Sequence, residues 1–136
     1  MKTLILFISF LFVFSSGRAQ KEATGVDRVL TAEEGNLSVS VQKDGKCYFT
    51  YQNEMSTKKD ERNIVFRNKQ DIRSFEKKIS RALSAKDGTS DIVIYKSYKI
   101  RLLTEMGGVF MIVNEPGQSQ STLRISKEMY SQVNTL

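Results

Sequence analysis

The clearest hydrophobic pattern in the chain runs between Asn68 and Gly88. Ile72, Phe75, Ile79, Ala82 and Leu83 fall at offsets of 0, 3, 7, 10 and 11, which sets them on one stripe of an α-helix. Asn68 suits the N-cap, and Asp71 three residues on completes an Asn-x-x-Asp capping pattern while complementing the helix dipole. Lys86 falls in the expected last turn, and Gly88 has the freedom to adopt the left-handed conformation that ends a helix.

Alternation with period two surrounds this helix. Leu37, Val39 and Val41 alternate with Ser38, Ser40 and Gln42, and Cys47, Phe49 and Tyr51 form the apolar set of the next strand. A two-residue Asp44-Gly45 loop would pair Val41 with Tyr48 and put the two apolar sets on opposite faces. A three-residue Lys43-Asp44-Gly45 loop with Gly45 left-handed pairs Val41 with Cys47, Val39 with Phe49 and Leu37 with Tyr51, and so predicts the register. Gln52 to Arg62 is polar and of mixed sign and reads as an exposed loop, followed by a short strand from Ile64 to Arg67.

Beyond the helix, Asp91 to Tyr95 is rich in β-formers, Lys96-Ser97 interrupts, and Tyr98 to Thr104 alternates with Lys99 and Arg101 on the polar side. Met106-Gly107-Gly108 marks a turn, and Val109 to Val113 reads as a central strand. Asn114 to Ser121 holds the one proline, Pro116, beside Gly117 and reads as a mobile loop before a last strand, Thr122 to Ile125. Ser126 then caps a short helix in which Met129, Val133 and Leu136 recur at helical spacing. At the start, Val26, Val29 and Leu30 fit either an edge strand or a helical turn.

The two halves share an order: a hairpin, a polar loop, a short strand and a capped helix, with an extra strand before each hairpin. The expected fold is α+β, an antiparallel sheet packed on helices, with a tandem β-β-β-α or β-β-β-β-α pseudo-repeat at residues 37–88 and 91–136. Residues 37–136 form the single small domain, preceded by a partly flexible segment at 20–36. This layout resembles the Whirly and PUR-type nucleic-acid-binding folds, in which strand-rich units each end in a helix. The resemblance implies a binder of single-stranded nucleic acid or another polyanion, although the chain has no Whirly-like Lys-Gly-Lys motif.

Residues 1–19 have the three parts of a signal peptide. Lys2 precedes an apolar run from Leu4 to Phe14, and Gly17-Arg18-Ala19 sets small residues at the −3 and −1 positions of a cut before Gln20. The run is shorter than the roughly 20 apolar residues of a membrane span, and no later stretch approaches that length, so the mature chain is expected to be secreted or periplasmic. Cleavage removes Lys2 and Arg18 and lowers the formal charge from +6 to +4. That mild basicity favours anionic partners. With Cys47 as the single cysteine no internal disulfide forms, and its place in a strand pattern makes it a buried small hydrophobe. Asn36-Leu37-Ser38 is a glycosylation acceptor in a eukaryotic source.

The chain contains no histidine. This removes the commonest general base, the Ser-His and Cys-His nucleophile pairs and the usual zinc ligand, and one cysteine builds no metal site. No phosphate-cradling glycine loop appears, so neither enzymatic activity, nor a metal, nor a cofactor is expected. One charge pattern stands out. Lys69, Arg73, Lys77 and Arg81 recur every fourth residue along the helix, with Glu76 the residue placed to offset them. The row reads as a solvated face or as an anion-binding face. The sequence therefore describes a small exported binding module for a protein or envelope partner. The alternative is a polyanion binder using that row, with Lys99, Arg101 and Arg124 as further contacts.

Overall fold

The computed structural model describes residues 26–32 and 36–133, with the side chains of 26–29 excepted. The expected leader at 1–19, the stretch to residue 25, residues 33–35 and Leu136 lie outside the described residues. Four strands, β1 (Val26–Thr31), β2 (Leu37–Gln42), β3 (Cys47–Gln52) and β4 (Glu61–Phe66), precede α1 (Lys69–Ser84). Four more, β5 (Ser90–Tyr95), β6 (Tyr98–Glu105), β7 (Gly108–Asn114) and β8 (Ser121–Ser126), precede α2 (Lys127–Val133). These strands form two antiparallel four-stranded sheets, each in sequential order, where the sequence suggested one. The class is an α+β mix.

The β2–β3 hairpin has the expected register: Val41 faces Cys47, Val39 faces Phe49 and Leu37 faces Tyr51. Its turn explains why. The Gly45 N–H donates to the Gln42 carbonyl at 3.0 Å, the Gln42 N–H donates to that of Lys46 at 2.8 Å, and Gly45 has φ +91°. This is a type I turn closed by a glycine bulge, so the apolar residues of both strands share a face. The edge-strand alternative for Val26 to Leu30 is the one realised, since β1 pairs with β2.

Two boundaries depart from the periodicity. β4 starts at Glu61 rather than Ile64, because Glu61 and Arg62 pair with Gln52 and Tyr51 of β3. Its first half is recruited by the neighbouring ladder and carries no apolar alternation of its own. The helix ends at Ser84, with Ala85 extended, short of Gly88. Gly88 does adopt a positive φ of +87°, but in the turn from Lys86 to Thr89 that leads into β5. Arg81, rather than Lys86, therefore occupies the last helical turn. Both N-caps form as read: Asp71 N–H donates to Asn68 Oδ1 at 2.9 Å and Met129 N–H to Ser126 Oγ at 3.1 Å.

The core comes from the inner faces of both sheets and from the helix stripe. Val39, Phe49, Ile64, Ile100, Leu102, Val109, Met111, Leu123, Ile72 and Ile79 are all completely buried. β7 lies between β6 and β8, which accounts for its near-continuous apolar run. α1 touches β4 to β7, while α2 touches β1, β2 and β8. Phe75 of α1 sits edge-on to Phe49 at 5.3 Å between ring centroids and also meets Phe66 at 5.3 Å.

Polar seams join the two sheets where their last strands present an open edge. Along β8, Glu54 N–H donates to the Thr122 carbonyl at 2.9 Å and Thr122 N–H donates to Asn53 Oδ1 at 3.0 Å. The buried Tyr51 hydroxyl shares a hydrogen bond with Ser121 Oγ at 2.6 Å. Along β4, the Tyr98 hydroxyl donates to the Asn63 carbonyl, and the Tyr95 ring stacks obliquely on Phe66 at 4.8 Å. The other half of the chain thus supplies partners to main-chain groups along β8 and to the Asn63 carbonyl of β4.

Candidate functional site

The four cations of α1 are exposed, but they do not form a straight row. Residues spaced by four advance about 40° around a helix at each step, so Lys69 and Arg81 lie roughly 120° apart over about 18 Å of axis. The two ends consequently face different elements. Lys69 and Arg73 act electrostatically on the buried Cys47 thiol of β3. Arg81 lines a groove of about 270 Å³ between α1 and the β5–β6 hairpin, together with Lys78, Asp91 and Thr104. In that groove Asp91 sets a carboxylate beside the two cations. The Thr104 hydroxyl is committed to the Ala82 carbonyl at 2.6 Å.

Glu76 does not offset the row in solvent, contrary to the expectation from its spacing. It is buried, with 6% of its surface exposed, and its Oε1 has no hydrogen-bond partner. Burial pushes its carboxyl from an ordinary 4.5 up to about 7, against a smaller opposing pull from Arg73. The signal was present in the chain, since Glu76 lies four residues after Ile72 and three before Ile79, inside the apolar stripe. Cys47 is buried as expected, and burial raises its thiol above the ordinary value, which leaves it a poor nucleophile.

A second basic surface lies on the outer face of the β5–β8 sheet. Ile100, Leu102 and Thr104 of β6 point into the core, so the alternation turns Lys99 and Arg101 outward, where both are exposed. The pairing aligns Ile92, Arg101, Ile112 and Thr122 in one cross-strand row, and Leu103, Phe110 and Arg124 in the next. A hollow of about 150 Å³ on this face is lined by Lys99, Arg101, Ile112, Asn114 and Gln120. Arg124 is held over the β6–β7 turn, its Nη2 donating to the carbonyls of Glu105 and Met106 at 3.4 and 3.3 Å. Among the described residues of these four strands, Glu105 is the one carboxylate turned to this side. The face opposes the one on which α1 packs, so the helix cations and the strand cations are two separate surfaces.

Among the described residues, no group of three or more histidine, cysteine, aspartate or glutamate side chains could hold a metal ion, and no helix is long and apolar enough to cross a membrane. The cations of the outer face are interleaved with half-buried Leu103, Phe110 and Ile112, a mixture suited to a partner that is anionic and partly apolar. No family model, no curated protein and no solved structure matches the chain.

Proposed function

We propose that this is a small exported, non-enzymatic binding module that takes an anionic partner on the outer face of the β5–β8 sheet. One observation carries the reading: exposed Lys99, Arg101 and Arg124 share a single sheet face with Leu103, Phe110 and Ile112. Cations in that setting attract a polyanion, and the apolar residues between them give its less polar parts a surface to rest on. The absence of histidine supports a role without acid–base chemistry. Release after cleavage near Ala19 places the module outside the cytoplasm, and exported material should then begin at Gln20 on N-terminal sequencing.

The domain reads as a tandem pseudo-repeat, four strands and a helix twice over, with the Whirly- or PUR-like layout that the sequence suggested. The contacts support it. α1 reaches onto β6 and β7, and α2 reaches back onto β1 and β2, an exchange that would weld two similar units into one core.

Salt-dependent heparin and oligonucleotide retention tests the function. Each lost contact lowers the slope of log affinity against log salt by about 0.9 on a duplex or about 0.7 on a single strand. Lys99→Gln with Arg101→Gln should flatten that slope by between about one and about two units. Should Arg73→Gln with Lys77→Gln do so instead, the helix row is the site. If the parent protein is not retained even at low salt, the polyanion reading fails and a protein or envelope partner takes its place.

A further inference from the structure

β5 is the outer strand of its sheet, and no described strand pairs with its free edge. It joins β6 through the two-residue turn Lys96-Ser97, with Tyr95 opposite Tyr98. Residues flanking such a turn exchange both of their hydrogen bonds, so alternation aims the N–H and C=O groups of Ile92 and Ile94 away from β6. The side chains of these same two residues are 45% and 66% exposed, among the few large apolar groups at the described surface. Two of the usual guards of an open edge are missing here. Between Ser90 and Tyr95 there is no proline, lysine or arginine. Along β8, by contrast, Asn53 and Glu54 of the other half of the chain bond the main chain of Thr122 and Arg124.

We infer that β5 pairs antiparallel with the β5 of a second copy of this chain, about a two-fold axis at Val93. In this register Ile92 of each copy lies opposite Ile94 of the other as a hydrogen-bonded pair, and the four isoleucine side chains meet on one face. Parity requires such a register, because antiparallel neighbours directly opposite one another project to the same side. Charge selects the occupant and its direction. Asp91 stands near one end of the strand and Lys96 just past the other, so antiparallel pairing brings the acidic end of one copy to the basic end of its mate. Parallel pairing would set Asp91 against Asp91. The strand is complementary to itself, as a two-fold contact requires. Joining the edges makes one continuous eight-stranded sheet, in which the outer faces bearing Lys99 and Arg101 become coplanar, with the two β6 strands about 14 Å apart.

Sedimentation of the mature protein from about 1 to about 100 µM should show a monomer–dimer equilibrium that persists at about 0.5 M salt, where polyanion binding is lost. Ile94→Lys should raise the dissociation constant at least about tenfold, with an unchanged melting curve at dilutions where both proteins are monomeric, since the side chain is exposed in the monomer. The register is read by mixing two single variants under mild oxidation. Ile92→Cys with Ile94→Cys should cross-link, and each variant alone should not, while the buried Cys47 stays silent. A protein that remains monomeric, a dimer indifferent to Ile94→Lys, or a monomer that instead takes up a foreign strand along β5 would each overturn the inference. A monomer that still binds heparin would overturn it while leaving the proposed function standing.

Discussion

The Tyr130 hydroxyl of α2 donates to the main-chain carbonyl of Glu76 in α1 at 2.6 Å, a buried hydrogen bond between residues far apart in the chain. It fastens the last helix to the first at the one residue where the buried stripe of α1 is acidic. The Glu76 side chain is itself buried without a partner for Oε1, and burial favours its protonated form.

Stability should fall as pH rises from about 5 to about 8. The Glu76 carboxyl titrates near 7 in the folded chain against 4.5 ordinarily. Between those values the folded state keeps a proton that the unfolded chain has lost, so each pH unit costs about 1.4 kcal/mol, up to about 3 kcal/mol across the window, with no further change above it. Glu76→Gln should match the parent near pH 5 and exceed it near pH 8 by an amount approaching about 3 kcal/mol. Denaturant melts at the two pH values decide it. Parallel pH profiles for the two proteins would mean that Glu76 is solvated or paired.

Phe75→Ala should cost about 3–5 kcal/mol, because it removes a ring packed against Phe49 and Phe66 and leaves a cavity that both sheet and helix are too rigid to close. Lys77→Ala, two residues on and exposed, should change stability by less than about 0.5 kcal/mol. Equal losses in urea melts would show that the helix presents a different face to the core.

Tyr95 ties the tip of the β5–β6 hairpin to the start of α1. Its hydroxyl accepts from Arg67 N–H at 2.9 Å and donates to Asp71 Oδ2 at 2.8 Å. That hydrogen bond, followed by the one from Arg67, holds the Asp71 carboxyl below its ordinary value of 3.8. The resulting stabilisation is present above that value and is lost as pH falls through the folded one. In Tyr95→Phe the Asp71 carboxyl should titrate closer to its ordinary value, as followed by carboxyl carbon shifts in an NMR titration. An unmoved Asp71 would mean that Arg67 alone sets it.

The elements legible in the chain are those whose causes are local. The helix stripe, both N-caps and the β2–β3 register follow from residues within a turn or two of each other, and the Gly45 bulge leaves one register that keeps Val41, Cys47, Val39 and Phe49 on the same side. Cys47 and the outward turn of Lys99 and Arg101 are read from alternation for the same reason. The strands that periodicity truncated needed a neighbour: Glu61 and Arg62 are polar and become strand because β3 offers them a ladder. Glu76 sat within the apolar spacing, but its charge argued for solvent, and its burial is settled only in the assembled fold, where Tyr130 of α2 also bonds its main-chain carbonyl. The division into two sheets, the sealing of β8 by Asn53 and Glu54, and the separation of the helix cations from the strand cations depend on how distant segments meet. Periodicity tells a residue which side of its own element it occupies. Which element lies across from that side is settled when burial of the whole chain is satisfied at once, and at that point one basic pattern became two surfaces.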